Sequence, residues 1–251
     1  MSNSPVDLII PAAPKDYNKV KYVVRQAREH INLDTIHVVV PEPDKLQLGL
    51  DDVIVHADSD VLPYDREEMS FRPNWVFQQF VKLFQDVTAN NWYLVLDADI
   101  FANKRLPLWN DSKPILYLGR DQFYEPYFSF NQEMLGFGKV YNWSFLSECT
   151  LYSKALAREM LVHCGLTLDE FWTKAVEITA RGCRMADSEL YGSYVYRQHP
   201  DVYEIRKLAT HLGGRYGSKK YTDGEIEQEV KKMKRDKPQV DIFSLHSWEG
   251  G

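Results

Sequence analysis

Residues 92–102 read WYLVLDADIFA. A run of apolar residues ends in two aspartates spaced one apart, Asp97 and Asp99, and the chain then turns apolar again. An apolar run without alternation is the pattern of a strand buried on both faces, as in a largely parallel sheet covered by helices. Two carboxylates at the end of such a strand cannot neutralise each other. Either one caps the next turn and the other is solvated, or a divalent cation sits between them. Mg²⁺ and Mn²⁺ take oxygen ligands in octahedral geometry and commonly complete their shells with substrate phosphates. A two-carboxylate motif this short also occurs by chance, so its position in the chain carries the weight.

Upstream, strand and helix signals alternate. Val6–Pro11 is a short apolar run closed by proline, a buried strand. Over 18–31 (NKVKYVVRQAREHI), Val20, Val23, Val24, Ala27 and Ile31 recur at helical spacing. Residues 35–41 (TIHVVVP) give a second strand, and VIVHAD within 52–62 a third. Residues 74–87 (NWVFQQFVKLFQDV) form a helix with a wide apolar face and Asn74 as its N-cap. Repeated β–α–β alternation implies right-handed crossovers and an open α/β sheet. Ligands of such sheets bind beyond the carboxyl ends of the strands. Pro11, Pro41, the segment after His56 and the aspartate pair therefore share one rim.

The second half is less regular. Residues 115–119 and 148–152 read as strands; 154–164, 168–180 and 188–196 read as helices, with Asp187 near the start of the last. Aromatics cluster in DQFYEPYFSFNQ (121–132) and around Trp143, suited either to an acceptor site or to a core. The final stretch is loop-like and charged. Residues 204–237 hold ten Lys/Arg against six Asp/Glu, a local +4, most simply a solvated surface helix over EIEQEVKKMKRDK.

Composition bounds the rest. The chain has 251 residues, 44% hydrophobic and 13% aromatic, enough for a sizeable core. A net charge of −6 argues against a protein coated in basic surface for nucleic acid. Three cysteines without CxxC spacing read as free thiols in a reducing compartment. The start, MSNSPVDLIIP, lacks a basic n-region, and no apolar stretch approaches the roughly 18 residues of a membrane span. A cytoplasmic protein is expected.

The layout resembles a GT-A glycosyltransferase, the nucleotide-sugar-dependent type with a DxD metal motif. It is most similar to small, poorly characterised bacterial and phage glycosyltransferases. The likeness rests on LIIP in the first strand, WVFQQFVKL before the motif, LVLDAD, ADSELYGSY and LHSW, spread from Leu8 to Trp248. The DxD strand with its preceding helix is the specific part. The resemblance implies a GT-A (Rossmann-like), mostly parallel sheet flanked by helices in a single unit. Residues 1–104 would form the nucleotide-sugar half, and 105–251 the acceptor-side half with a C-terminal loop. It further implies that Asp97 contacts ribose or sugar and shares a Mn²⁺ or Mg²⁺ with Asp99. His246 occupies the place of a C-terminal metal ligand, and an imidazole favours manganese. His211, beside glycines in THLGGRYG, is the competing histidine.

Gln79 and Lys82, three apart on one helical face, are implied to lie near the donor phosphates, with Lys15 and Arg72 as further cations on the rim. Asp58 and Asp60 are candidates for the base or ribose, and Pro11 ends the first strand against them. An inverting transferase needs a carboxylate to accept the acceptor's proton. Asp187 is the position implied and Glu189 the understudy, although AD stands here where SE is commoner. A helix N-cap is the plainer role for Asp187. The donor is expected to be a nucleotide-diphosphate sugar, a UDP-sugar first among them. The acceptor is either a glycan or a phage-type hydroxymethylated DNA base, the latter placing the protein in a host cytoplasm. The competing functions are a non-catalytic nucleotide-sugar-binding protein and a nucleotidyltransferase-like enzyme using the same carboxylates. The chain has no GxxxxGK[ST] loop for the usual phosphoryl-transfer cradle.

Overall fold

A computed structural model describes residues 4–46, 48–50, 52–70, 72–216 and 221–248. Strand β1 (Val6–Pro11) is buried along its whole length and leads through a short 3₁₀ turn (Pro14–Asp16) into α1 (Tyr17–His30). Then come β2 (Ile36–Val40), β3 (Val53–Ala57), the single turn α2 (Asp58–Val61), α3 (Pro73–Phe84) and β4 (Trp92–Leu96). Strands β1 to β4 run parallel in the order β3-β2-β1-β4. The four are the expected strands, and their carboxyl ends form the expected common rim. Because β1 pairs with β2 on one side and β4 on the other, a crevice opens above β1 at the point where strand order reverses.

Beyond β4, the turn Asp97–Ile100 is closed by an Ile100 N–H to Asp97 carbonyl bond of 3.0 Å and leads into β5 (Ile100–Ala102). Next are β6 (Trp109–Asn110), β7 (Lys113–Leu118), α4 (Glu125–Leu135) and β8 (Cys149–Ser153), which joins the main sheet antiparallel to β4. Helices α5 (Lys154–Cys164), α6 (Leu168–Ala180) and α7 (Asp187–Gln198) follow. The first two begin at real caps. The Ser153 hydroxyl accepts from Leu156 N–H, and Thr167 forms a capping box with Glu170.

Two expectations are corrected. The C-terminal part is not loop-like: β9 (Glu204–Lys207) pairs with β7, and β10 (Thr210–Tyr216), α8 (Asp223–Asp236) and β11 (Ile242–Trp248) are regular. Strands β10, β11 and β5 make a second three-stranded sheet. Helix α8 packs Ile226, Val230 and Met233 into the core. Lys21 of α1 meets Asp223, and Lys234 meets Glu29, at 2.6 and 2.7 Å. One lysine of the basic stretch thus meets an acid of α1 while one of its acids meets a lysine of α1, which leaves its local charge unchanged; its residues 217–220 lie outside the described residues. Secondly, Asn74 is not the cap of α3. Pro73 opens the helix, and Arg72 precedes it with left-handed backbone, φ 46° and ψ 58°. Proline suits a first helical position because it lacks the N–H that would go unbonded there.

Two separate apolar layers cover the main sheet, one centred on α1 and one on α3, α5 and α7. No helix among the described residues is long and apolar enough to cross a membrane. The three cysteines are free thiols, and burial raises the pKa of each, that of Cys164 to about 11.

His37 and His56 stack across β2 and β3 with Nδ1 and Nε2 3.0 Å apart. Burial holds both imidazoles below the usual 6.5, against the opposing charges of Asp7 and Asp60 respectively. His30 and His211 are lowered in the same direction by burial. A depressed histidine stabilises the fold fully above the unfolded value and loses that contribution as pH falls, because the unfolded chain binds the proton better. These four histidines should therefore lower the urea midpoint between about pH 7.5 and about pH 5.5, relative to a protein without them. Over that interval the midpoint of wild type should fall relative to that of His37→Gln, which removes one member of the pair and leaves the other titrating groups in place.

Candidate functional site

Helix α3 stands over the carboxyl rim and divides it into two cavities. Its Phe77, Gln78 and Val81 face the first, of about 270 Å³, with Pro11, Pro41 and Asp58 across from them. Trp75, Gln79 and Lys82 line the second, of about 290 Å³, together with Asp97, Asp187 and His246. The helical offset between Gln78 and Gln79 sends neighbouring residues to different chambers. A larger cavity of about 460 Å³, lined by Val6, His30, Asp34 and Trp109 among others, lies at the amino end of β1, away from the carboxylates.

The second cavity is organised around buried charge. Lys82, only 7% exposed, places its ammonium 2.6 Å from Asp97 and 3.9 Å from Asp187. Burial alone would drive that ammonium to neutrality, but Asp187 and Asp97 outweigh it and hold the pKa above 10.5. Asp187 opens α7 and is 5% exposed. Its backbone N–H donates to Gln79 Oε1 at 3.0 Å, and Tyr152 of β8 donates its hydroxyl to the carboxylate. Burial raises the Asp187 pKa despite Lys82 and Tyr152.

Asp99 is reached from the other side. Strand β11 pairs with β5 through Ser244 opposite Ile100, and Leu245 N–H donates to the Asp99 carbonyl at 2.9 Å. Two residues along, His246 sets Nδ1 2.8 Å from Asp99 Oδ2. Burial would lower the His246 pKa, but the Asp99 hydrogen bond and charge raise it overall. Asp99 feels the reverse: burial pushes its pKa up, while His246, Lys19 and Lys15 bring it below 3.8. Lys19 is fully buried and bound to Asp16 at 2.7 Å. The Asp16 pKa is raised by its burial and then by the charge of Asp99.

Of the residues expected from the sequence, Gln79, Lys82, Asp97, Asp187 and His246 line one cavity, and Pro11 and Asp58 line the other. Lys15 stands close enough to act on Asp99, and Arg72 lies over the Trp75 ring at 5.7 Å. Asp60 is exposed. His211 lines a different, smaller cavity and meets Lys237 at 2.9 Å, so His246 is the histidine beside the pair. Glu189 is 1% exposed and outside the cavity lining. Its carboxylate accepts from Ser144 Oγ, Phe145 N–H and Ser193 Oγ at 2.9, 2.7 and 3.3 Å. Asp58 is paired with Arg66 at 2.8 Å.

Sequence reasoning missed Arg66, Arg120, Tyr127, Glu148 and Tyr152. Arg120 carried a usable signal, a charge at the end of the apolar run 115–119, whereas Glu148 precedes its strand and reaches the rim only because β8 runs antiparallel to β4. Tyr152 and Arg66 carried none, since their roles arise only from contacts distant in sequence.

Among the described residues, no group of three His, Cys, Asp or Glu side chains is close enough to hold a metal ion unaided. The donor chemistry nevertheless suits a hard divalent cation: two carboxylates on one turn and an imidazole touching one of them. Diphosphate oxygens and water would complete a shell that these side chains begin.

Glu189→Gln replaces a three-bond acceptor by an amide that must turn N–H groups toward donors. Urea unfolding should show a loss of about 1–3 kcal/mol, while far-UV circular dichroism stays native.

No curated protein matches this chain. A family model does match residues 4–195, from the start of β1 through most of α7 and so through every site residue except His246, and the chain belongs to that family, the family of unknown function DUF6492.

Proposed function

We propose that the protein is a metal-dependent glycosyltransferase of the GT-A type, moving a sugar from a nucleotide-diphosphate donor to an acceptor hydroxyl. One observation carries the reading: Asp97 and Asp99 follow the carboxyl end of β4, Asp97 and His246 line the second cavity, and His246 is hydrogen-bonded to Asp99. The mixed lining of the first cavity, with Pro11, Val39, Pro41 and Phe77 around the Asp58–Arg66 pair, suits a nucleoside. The polar second cavity suits a sugar. The diphosphate would then cross the rim between them, where Lys15 supplies positive charge.

In this reading Asp97, Asp99 and His246 would hold Mn²⁺ or Mg²⁺ together with diphosphate and water oxygens. When bound, the cation supplies Lewis-acid stabilisation to the departing diphosphate. Lys82 and Asp187 are fixed partners for sugar hydroxyls, since each is held in place by buried neighbours before any ligand arrives. Asp187, the base expected from the sequence, already has its carboxylate engaged by Tyr152 and Lys82. Glu189 supports the wall of the cavity.

Exposed aromatics, Phe123 and Tyr124, precede α4, whose Tyr127 lines the sugar cavity. Rings at that mouth favour a glycan acceptor over DNA.

Calorimetric titration of UDP, GDP and CDP, with and without Mn²⁺, tests the donor half. One nucleotide, UDP first, should bind only with metal, and Asp99→Asn should weaken it at least about tenfold, a change of about 1.4 kcal/mol. Binding indifferent to both metal and substitution would return the carboxylates to a structural role.

A further inference from the structure

Glu148 ends the loop that leads into β8, lines the sugar cavity beside Asp97 and Arg120, and has so far no role. Its surroundings differ from those of the other two acids of this region. Asp187 is engaged by Tyr152 and Lys82, and Glu189 by three donors. Among the described residues, the Glu148 carboxylate has only its own backbone N–H as a hydrogen-bond donor. Its remaining lone pairs are open to whatever enters the cavity.

The loop that carries it is fixed with unusual care. At its start, Glu189 of α7 takes the Ser144 hydroxyl and the Phe145 N–H. Ser188, one residue earlier on α7, accepts from Ser147 N–H at 3.2 Å. Gly192, one turn on, lets Phe145 lie directly on the helix: a Cβ there would fall 2.4 Å from the Phe145 ring. From the opposite side Gly119, just past β7, donates its N–H to the Leu146 carbonyl at 3.1 Å. A Cβ at 119 would stand 2.7 Å from that oxygen and 3.4 Å from Glu148 Oε2. Three α7 residues and one glycine thus hold a segment whose next residue is an acid facing a cavity. A side chain fixed from behind and open in front is arranged for a ligand rather than for stability.

We propose that Glu148 is a catalytic residue, the group that accepts the proton of the acceptor hydroxyl, and that transfer therefore inverts the anomeric centre; this rests on the glycosyltransferase reading. The acceptor oxygen forms a bond to the anomeric carbon as that carbon's bond to the diphosphate oxygen breaks. The bonding pair leaves with the diphosphate, and the hydroxyl proton ends on Glu148. Lys82 and Asp187, which also line the cavity, remain with the sugar.

The test uses the full chain with Mn²⁺ and a panel of UDP-, GDP- and CDP-sugars, with water as acceptor, reading nucleotide release and the configuration of the freed sugar by NMR. Glu148→Gln should bind the metal–nucleotide within about threefold of wild type yet lose at least about 100-fold in kcat with KM little changed. Glu148→Asp should recover part of the rate, and the wild-type product should have inverted configuration. Turnover by Glu148→Gln within about threefold of wild type, or a product of retained configuration, overturns the assignment while leaving the donor reading intact. Loss of metal-dependent nucleotide binding in the wild-type protein itself sinks the donor reading and this assignment together.

Discussion

The ammonium of Lys82, buried between Asp97 and Asp187, is the constraint around which the rim is arranged. An isolated charge in that position would cost several kcal/mol in lost hydration, and only close opposite charges offset it. One partner comes from the end of β4, the other from the start of α7, and the lysine itself from the last turn of α3. The three elements are therefore held in register by electrostatics as well as by the apolar layer beneath them. Tyr152 adds β8 to the same group through Asp187.

Asp99 repeats the principle with different partners. His246 approaches from β11, and Lys19 and Lys15 act from the segment following β1. The contact depends on the second sheet, because β5 leaves the DxD turn and pairs with β11. The C-terminal strands thus close the site, and α8 fastens them to α1 through Ile226, Val230 and Met233 and two ion pairs. The sequence between the two carboxylates is one alanine, 5% exposed, whose burial keeps the turn tight against the core.

The far wall of the second cavity is built on α7 in an analogous way. Its first turn supplies Asp187 to the cavity, while Ser188 and Glu189 face the 144–147 loop, so one helical turn serves both the site and its wall. The Glu189 carboxylate, 1% exposed and satisfied by three donors, is a fastening. Sequence spacing could not tell that role from catalysis, since Asp187 and Glu189 differ by only two positions.

The parallel core strands and helices α5 and α6 were legible in the sequence because their signals are local. Apolar runs, 3.6-residue periodicity, Ser153, Thr167 and the glycine after Cys164 act within a few residues of themselves. The aspartate pair at a rim was legible for the same reason, as was the shared face of Gln79 and Lys82. Helix α3 was read three residues too long, because Gln85 turns its side chain back to accept from Val87 and Thr88 N–H groups. Strand β10, THLGGRY, has too little apolar alternation to declare itself, and pairing with β11 makes it a strand. The choice of His246 over His211, the clamp on Asp187 and the open carboxylate of Glu148 belong to tertiary structure alone. Each depends on groups brought together from distant parts of the chain, where burial makes a contact of a few ångströms decisive and sequence separation says nothing about it.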